Sequence, residues 1–245
     1  MFKNLSTEGL EQSEDRLGGS GPLPTSIYTG IIKQFYGIKS DGGASGVVFI
    51  LDVNGREYRE TIYCTNRKGE NFYKKDGKSY QLPGFITAND IALCAVGQQL
   101  NELDWEEKQV KVYDYDQKKE VPKAVEVAVD MIGKEVTVAI VNVLKNKQEK
   151  NAQGEYVDIA DERTENNIEK VFDTESKRTV REAIDGKEEA AFHDEWLKKN
   201  DGVQRDKRSI KNGGSAGSAG APPKSNAAAG SAPTAGGKSL FNKKP

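Results

Sequence analysis

A chain of 245 residues with a net charge of −2, two cysteines, one histidine and 19 aromatic residues has room for one well-buried domain plus appendages. Its three Cys and His side chains are fewer than the usual four ligands of a structural zinc site, and it has no run of about 18 apolar residues to span a membrane. The N-terminus lacks a basic-then-apolar leader, so an intracellular, reducing location is expected, with Cys64 and Cys94 as semi-buried thiols rather than a disulfide.

Residues 1–24 read as a flexible arm, because Gly18-Gly19-Ser20-Gly21-Pro22 breaks the short amphipathic stretch from Thr7 to Arg16. Ile27–Ile38 has strand composition, and Gly30 and Gly37 inside it mark a bend or bulge. A Gly-rich loop, Ser40–Gly46, leads to a second strand, Gly46–Val53. Asn54-Gly55 is a two-residue hairpin turn, and Arg56–Thr65 is the returning strand. That turn predicts the register: Val53 faces Arg56, Leu51 faces Tyr58, Phe49 faces Glu60 and Val47 faces Ile62. This row is assigned inward. Val48, Ile50, Arg59, Thr61, Tyr63 and Thr65 are assigned to the outward, ligand-facing side.

Phe72–Lys75, Asp76-Gly77 and Lys78–Gln81 predict a small hairpin. Thr87–Val96 reads as a short helix, with Thr87 and Asp90 spaced as a capping box and Gly97 as its stop. Lys108–Tyr115, Ala124–Met131 and Gly133–Lys145 alternate as strands, and Glu155–Val157 is a candidate to pair with the last of them. Arg163–Val171 and Thr179–Ile184 read as helical. So does Glu188–Asn200, with Phe192, Trp196 and Leu197 on one face.

The expected fold class is mainly β: a five-stranded barrel of the oligonucleotide/oligosaccharide-binding (OB) type with one inserted short helix. The same strand-helix pattern also suits other small barrels. The barrel is assigned to residues 25–160, a helical extension packing on it to 161–202, and a disordered basic Gly/Ala/Ser-rich tail to 203–245.

The near-neutral total hides an asymmetry. Residues 28–80 carry nine Lys or Arg against six acids, residues 203–245 eight against one, and residues 81–202 seventeen against 27. Ten of the aromatics fall between Tyr28 and Phe85, interleaved with the first cationic set. Aromatic faces beside positive charge suit unpaired bases and their phosphates together. Arg59, Tyr63, Arg67, Lys68, Phe72, Tyr73, Lys74, Lys75, Lys78 and Tyr80 are the candidates for this role. Lys33 and Phe35 are candidates for the first strand's edge of the same groove. Against these stand Tyr28, Phe49, Tyr58 and Phe85, read as core, and Trp105 and Trp196, read as packing. The acids from Asp161 to Glu175 read as a solvated face rather than a metal site.

No phosphate loop, dinucleotide fingerprint or nucleophile elbow is present, and His193 is assigned to the polar side of a helix with no nucleophile in view. The expectation is a non-enzymatic protein without a cofactor.

The opening "MFKNL…TEGLEQSEDRLGG", then "IYTGIIKQFY", "GREYRETIYCTNRKGENFYKK", "LPGF…DI" and the end near Lys238-Ser239-Leu240-Phe241 resemble single-stranded DNA-binding proteins of tailed bacteriophages. The resemblance runs from Met1 to about Asn200 and resumes at the tail end. It implies an OB fold, cooperative coating of single-stranded DNA during replication and recombination in the cytoplasm of a bacterial host, and contacts with replication proteins. Many single-strand binding proteins end in an acidic tail with an apolar tip that recruits partners. Here the tip, Leu240-Phe241, sits among Lys238, Lys243 and Lys244 instead.

The alternative reading is an interaction module that recruits phage or host replication, recombination or transcription proteins through the acidic region and Leu240-Phe241. A carboxylate-dependent nuclease is a third, without paired metal-binding spacing to support it.

Overall fold

Strand β1 (Ser26–Lys39) organises the molecule. Its first half, Ser26–Ile31, pairs with β8 (Glu135–Lys150), and its second half, from Ile31 to Lys39, pairs with β2 (Ser45–Val53). The register shifts between Ile32 and Gln34, a bulge that bends the strand so that each half serves a different neighbour. The computed structural model describes residues 21–114 and 117–211; it is mainly β, with an antiparallel sheet and few helices.

The remaining elements follow in order. β3 (Arg56–Tyr63) returns from β2, and β4 (Phe72–Lys75) and β5 (Lys78–Gln81) form a separate two-stranded sheet. Helix α1 (Pro83–Val96) precedes a hairpin of β6 (Trp105–Asp114) and β7 (Lys119–Ala128). β9 (Tyr156–Phe172) returns along β8, and α2 (Val180–Ile184), α3 (Ala191–Asn200) and β10 (Gln204–Asp206) complete the described chain. β10 lies parallel to β8, whereas the other pairs are antiparallel.

The Asn54-Gly55 turn carries φ of 53° and 80°, the left-handed pair that a two-residue hairpin turn requires, and β2–β3 has the register predicted from it. The inward row is buried: Val47, Phe49, Leu51, Val53, Tyr58 and Ile62 join α1, β8 and β9 in the principal core. Burying some two dozen apolar side chains here is the main stabilising term, at about 1.5–3 kcal/mol for each large one.

The ladder does not close into a ring. Among the described residues β3 is paired only with β2, and β9 only with β8. The Glu60 side chain crosses the gap between them. Glu60 Oε2 accepts from the Ile168 backbone N–H at 2.9 Å and from the Tyr58 hydroxyl at 2.5 Å. Burial raises the pKa values of both Glu60 and Tyr58.

Several expectations are corrected. The main sheet has eight strands rather than five. Arg163–Val171 lies inside β9, because β8 extends along its whole length and tertiary pairing overrides helix propensity. Helix α1 starts four residues before Thr87. Pro83 opens it at a position where a missing N–H costs nothing, and Thr87 hydrogen-bonds back to the Pro83 carbonyl from within the first turns. His193 is buried, edge-on to Phe172 at 5.2 Å, and its Nδ1 meets Asp194 at 2.8 Å.

Neither terminal boundary falls where the composition put it. Leu23 is buried and donates its N–H to Asn166 Oδ1 at 2.6 Å, so the end of the arm is anchored. Residues 203–211 run along β8: β10 pairs there, and Arg205 makes a two-pronged ion pair with Glu169. The expected extents of the arm over residues 1–20 and the tail over 212–245, with Leu240 and Phe241, lie outside the described residues.

Candidate nucleic-acid interface

The outer row of β3 presents Glu57, Arg59, Thr61 and Tyr63, all exposed. Successive outward residues stand roughly 7 Å apart, which places Arg59 and Tyr63 about 13 Å from each other. Tyr63 is 47 % exposed and lies across from Gly46, so no cross-strand side chain covers its ring. Arg59 donates to the Tyr36 hydroxyl at 2.9 Å, which fixes the guanidinium at the surface while leaving its remaining donors available.

Only part of the expected outward face is open. Val48 and Ile50 are buried with Tyr36 and Val127, and Val110, Val112 and Val125 of the β6–β7 hairpin pack on them. The hairpin joins β1 through the Tyr36–Val127 pair and brings its apolar row over this part of the sheet. Alternation along β2 could not reveal a second cover, because both its faces are apolar.

Beyond Tyr63, the chain is tied down by Cys64 and Thr65, whose N–H groups both donate to the Ser45 carbonyl. The turn that follows is closed by Asn66, whose Oδ1 accepts from the N–H groups of Lys68 and Glu70. Arg67 and Lys68 are exposed on this turn.

The β4–β5 hairpin turns through Asp76-Gly77, with φ of 51° and 73°. Tyr73 pairs with Tyr80 and Lys75 with Lys78. Directly paired residues share a face, so one face holds two tyrosines and two ammonium groups. The rings are stacked, 5.6 Å between centroids at 24°. Tyr73 is 45 % exposed, and both lysines are exposed.

The other candidates separate from this set. Phe35 is fully buried, edge-on to Phe49 and tilted against Trp105, because it lies on the inward side of the β1 bend. Its assignment to a groove edge is therefore corrected. Lys33, in the bulge of β1, is exposed but paired with Asp52 at 3.3 Å. Phe72 and Lys74 belong to the opposite face of the hairpin, and Phe72 is half-buried.

One exposed aromatic–cation pair escaped the sequence reading. Tyr156 is 65 % exposed, with the Lys150 ammonium 5.3 Å from its ring centroid, beside the β8–β9 turn. The signal is the turn over residues 151–154, which sets Lys150 and Tyr156 directly opposite one another across β8 and β9.

The four acids from Asp161 to Glu169 all have partners within the chain. Glu165 pairs with Lys145 and Arg163, Glu169 with Arg205 and the Trp196 indole N–H, Glu162 with Arg208, and Asp161 with Lys147. These bonds hold the Glu165 and Glu169 carboxyls below their ordinary pKa values against the opposing effect of burial. Among the described residues no group of three or more His, Cys, Asp or Glu could hold a metal ion, and no helix is long and apolar enough to cross a membrane. A scan against protein-family models and a search of curated proteins give no match to this chain.

Proposed function

We propose that the protein binds single-stranded DNA without sequence preference, by stacking bases on exposed tyrosines and neutralising adjacent phosphates. The observation that carries this reading is the hairpin face of Tyr73, Tyr80, Lys75 and Lys78, which offers π surface and positive charge together. Stacking tolerates any base, since every base has a π face, and contributes about 1–3 kcal/mol for each one. Arg59, Tyr63, Arg67 and Lys68 extend the same chemistry over β3 and the turn after it.

The strand order β3-β2-β1-β8-β9, with α1 between β3 and β8 in the chain, is consistent with an OB barrel left partly open between β3 and β9. On this reading β6–β7 is an insertion, and β2–β3 supplies the binding face typical of that fold. Coating of single strands during phage replication and recombination follows from the sequence resemblance. The four acids from Asp161 to Glu169 are held in ion pairs within the chain, which disfavours that stretch of the acidic region as a docking surface.

Titration of labelled oligo-dT and of a mixed-sequence strand at two salt concentrations tests the reading. Expected are similar affinities for both strands, a clear loss at higher salt and much weaker binding to duplex. Equal affinity for duplex and single strands overturns it.

A further inference from the structure

Strand β6 is ten residues long and paired only on its β7 side, leaving an uncovered edge among the described residues. Such an edge is a template for pairing with another chain, and this one carries no proline and no register shift. We propose that β6 is the interface between two copies of this protein, joined edge to edge about a two-fold axis.

The register follows from geometry. Backbone groups that point outward from an edge strand come from alternate residues, so a two-fold antiparallel pair must set residues of like parity opposite one another. Centring the axis on Gln109 uses nearly the whole strand. It places Glu107 opposite the partner's Lys111, and the reciprocal pair repeats this contact across the axis. Trp105 comes opposite the partner's Tyr113, and Gln109 opposite itself. Moving the axis to Val110 would set Glu106 against the partner's Asp114, and moving it to Lys108 would shorten the ladder and leave Glu107 without a cation.

Local electrostatics favour the first register. Within the monomer Glu107 lies directly opposite Glu126 of β7, a like-charge cross-strand pair. Glu107 and Lys111 are both exposed, and neither forms an ion pair among the described residues, whereas neighbouring Glu106 and Lys108 bond each other at 3.1 Å. A Lys111 from a second copy would supply the cation that Glu107 lacks. The interface is independent of DNA and lies on a different element from the Tyr73–Tyr80 face.

Sedimentation velocity on the full chain without DNA, over a wide concentration range, should show a monomer–dimer equilibrium. Glu107→Lys and Lys111→Glu should each weaken it roughly tenfold or more, by setting like charges opposite one another twice. The two variants mixed should form a heterodimer, because one chain then presents two lysines to the other's two glutamates. Gln109→Cys should give a disulfide-linked dimer under mild oxidation, since directly opposed Cβ atoms stand about 4.5–5.5 Å apart. Cys64 and Cys94 are buried and leave that readout clean. Unchanged melting temperatures of the variants would separate loss of pairing from loss of fold. A parent chain that stays monomeric throughout, or a mixture of the charge variants that does not associate, overturns the proposal.

Discussion

Phe35 and Tyr73 show how one residue class divides between packing and recognition. Phe35 faces inward at the bend of β1 and touches Phe49 and Trp105, so its truncation leaves a cavity. Phe35→Ala should destabilise the protein by about 3–5 kcal/mol, read by denaturant unfolding. Tyr73 is open on one side and stacked on Tyr80 on the other. Tyr73→Ala should leave the unfolding midpoint within a few degrees and weaken oligo-dT binding by about 1–3 kcal/mol, roughly 5- to 150-fold. A binding loss matched by a loss of fold would return Tyr73 to a structural role.

At the scale of elements, the β4–β5 hairpin is built from local chemistry, and α1 is seated by a long-range contact. Lys75 and Lys78 share their face through register alone. Lys75→Gln with Lys78→Gln should therefore lower the slope of log affinity against log salt by about 0.7 for each phosphate that is no longer neutralised. Gly84, in the first turn of α1, lies against β3 so closely that a Cβ would overlap the Tyr63 carbonyl oxygen. Gly84→Ala should destabilise the fold despite alanine's better helix propensity, because the helix must back away from the strand. A higher melting temperature for this variant would show that α1 is free to shift.

For the whole molecule, stability is tied to a half-buried acid and to the path of the chain along β8. Burial pushes the Asp90 carboxyl on α1 up to about 7, with Lys170 pulling it the other way. Between about pH 4 and pH 7 the native state thus holds a proton that the unfolded chain has released, and stability falls as pH rises through that window. Asp90→Asn should match the parent near pH 4 and melt several degrees higher at pH 8, as checked by thermal unfolding at both values. Truncation after Gly202 removes β10 and the Arg205–Glu169 pair, and should cost about 2 kcal/mol relative to truncation after Lys211.

The sequence by itself determined the features built from neighbouring residues. Asn54-Gly55 set the register of β2 on β3, alternation identified the inward row, and Asp76-Gly77 closed the hairpin that pairs Tyr73 with Tyr80 and Lys75 with Lys78. Turn chemistry and a side-chain period of two act over a few residues, so they are legible without the fold. Only the tertiary structure decided the rest: that Phe35 faces the core, that β6–β7 covers Val48 and Ile50, and that Arg163–Val171 is a strand beside β8. It also decided that residues 203–211 belong to the folded body. Each depends on a partner distant in the chain, such as Val127 for Tyr36, Lys145 for Arg163 or Glu169 for Arg205, and the burial that partner offers outweighs local preference by more than propensity can supply.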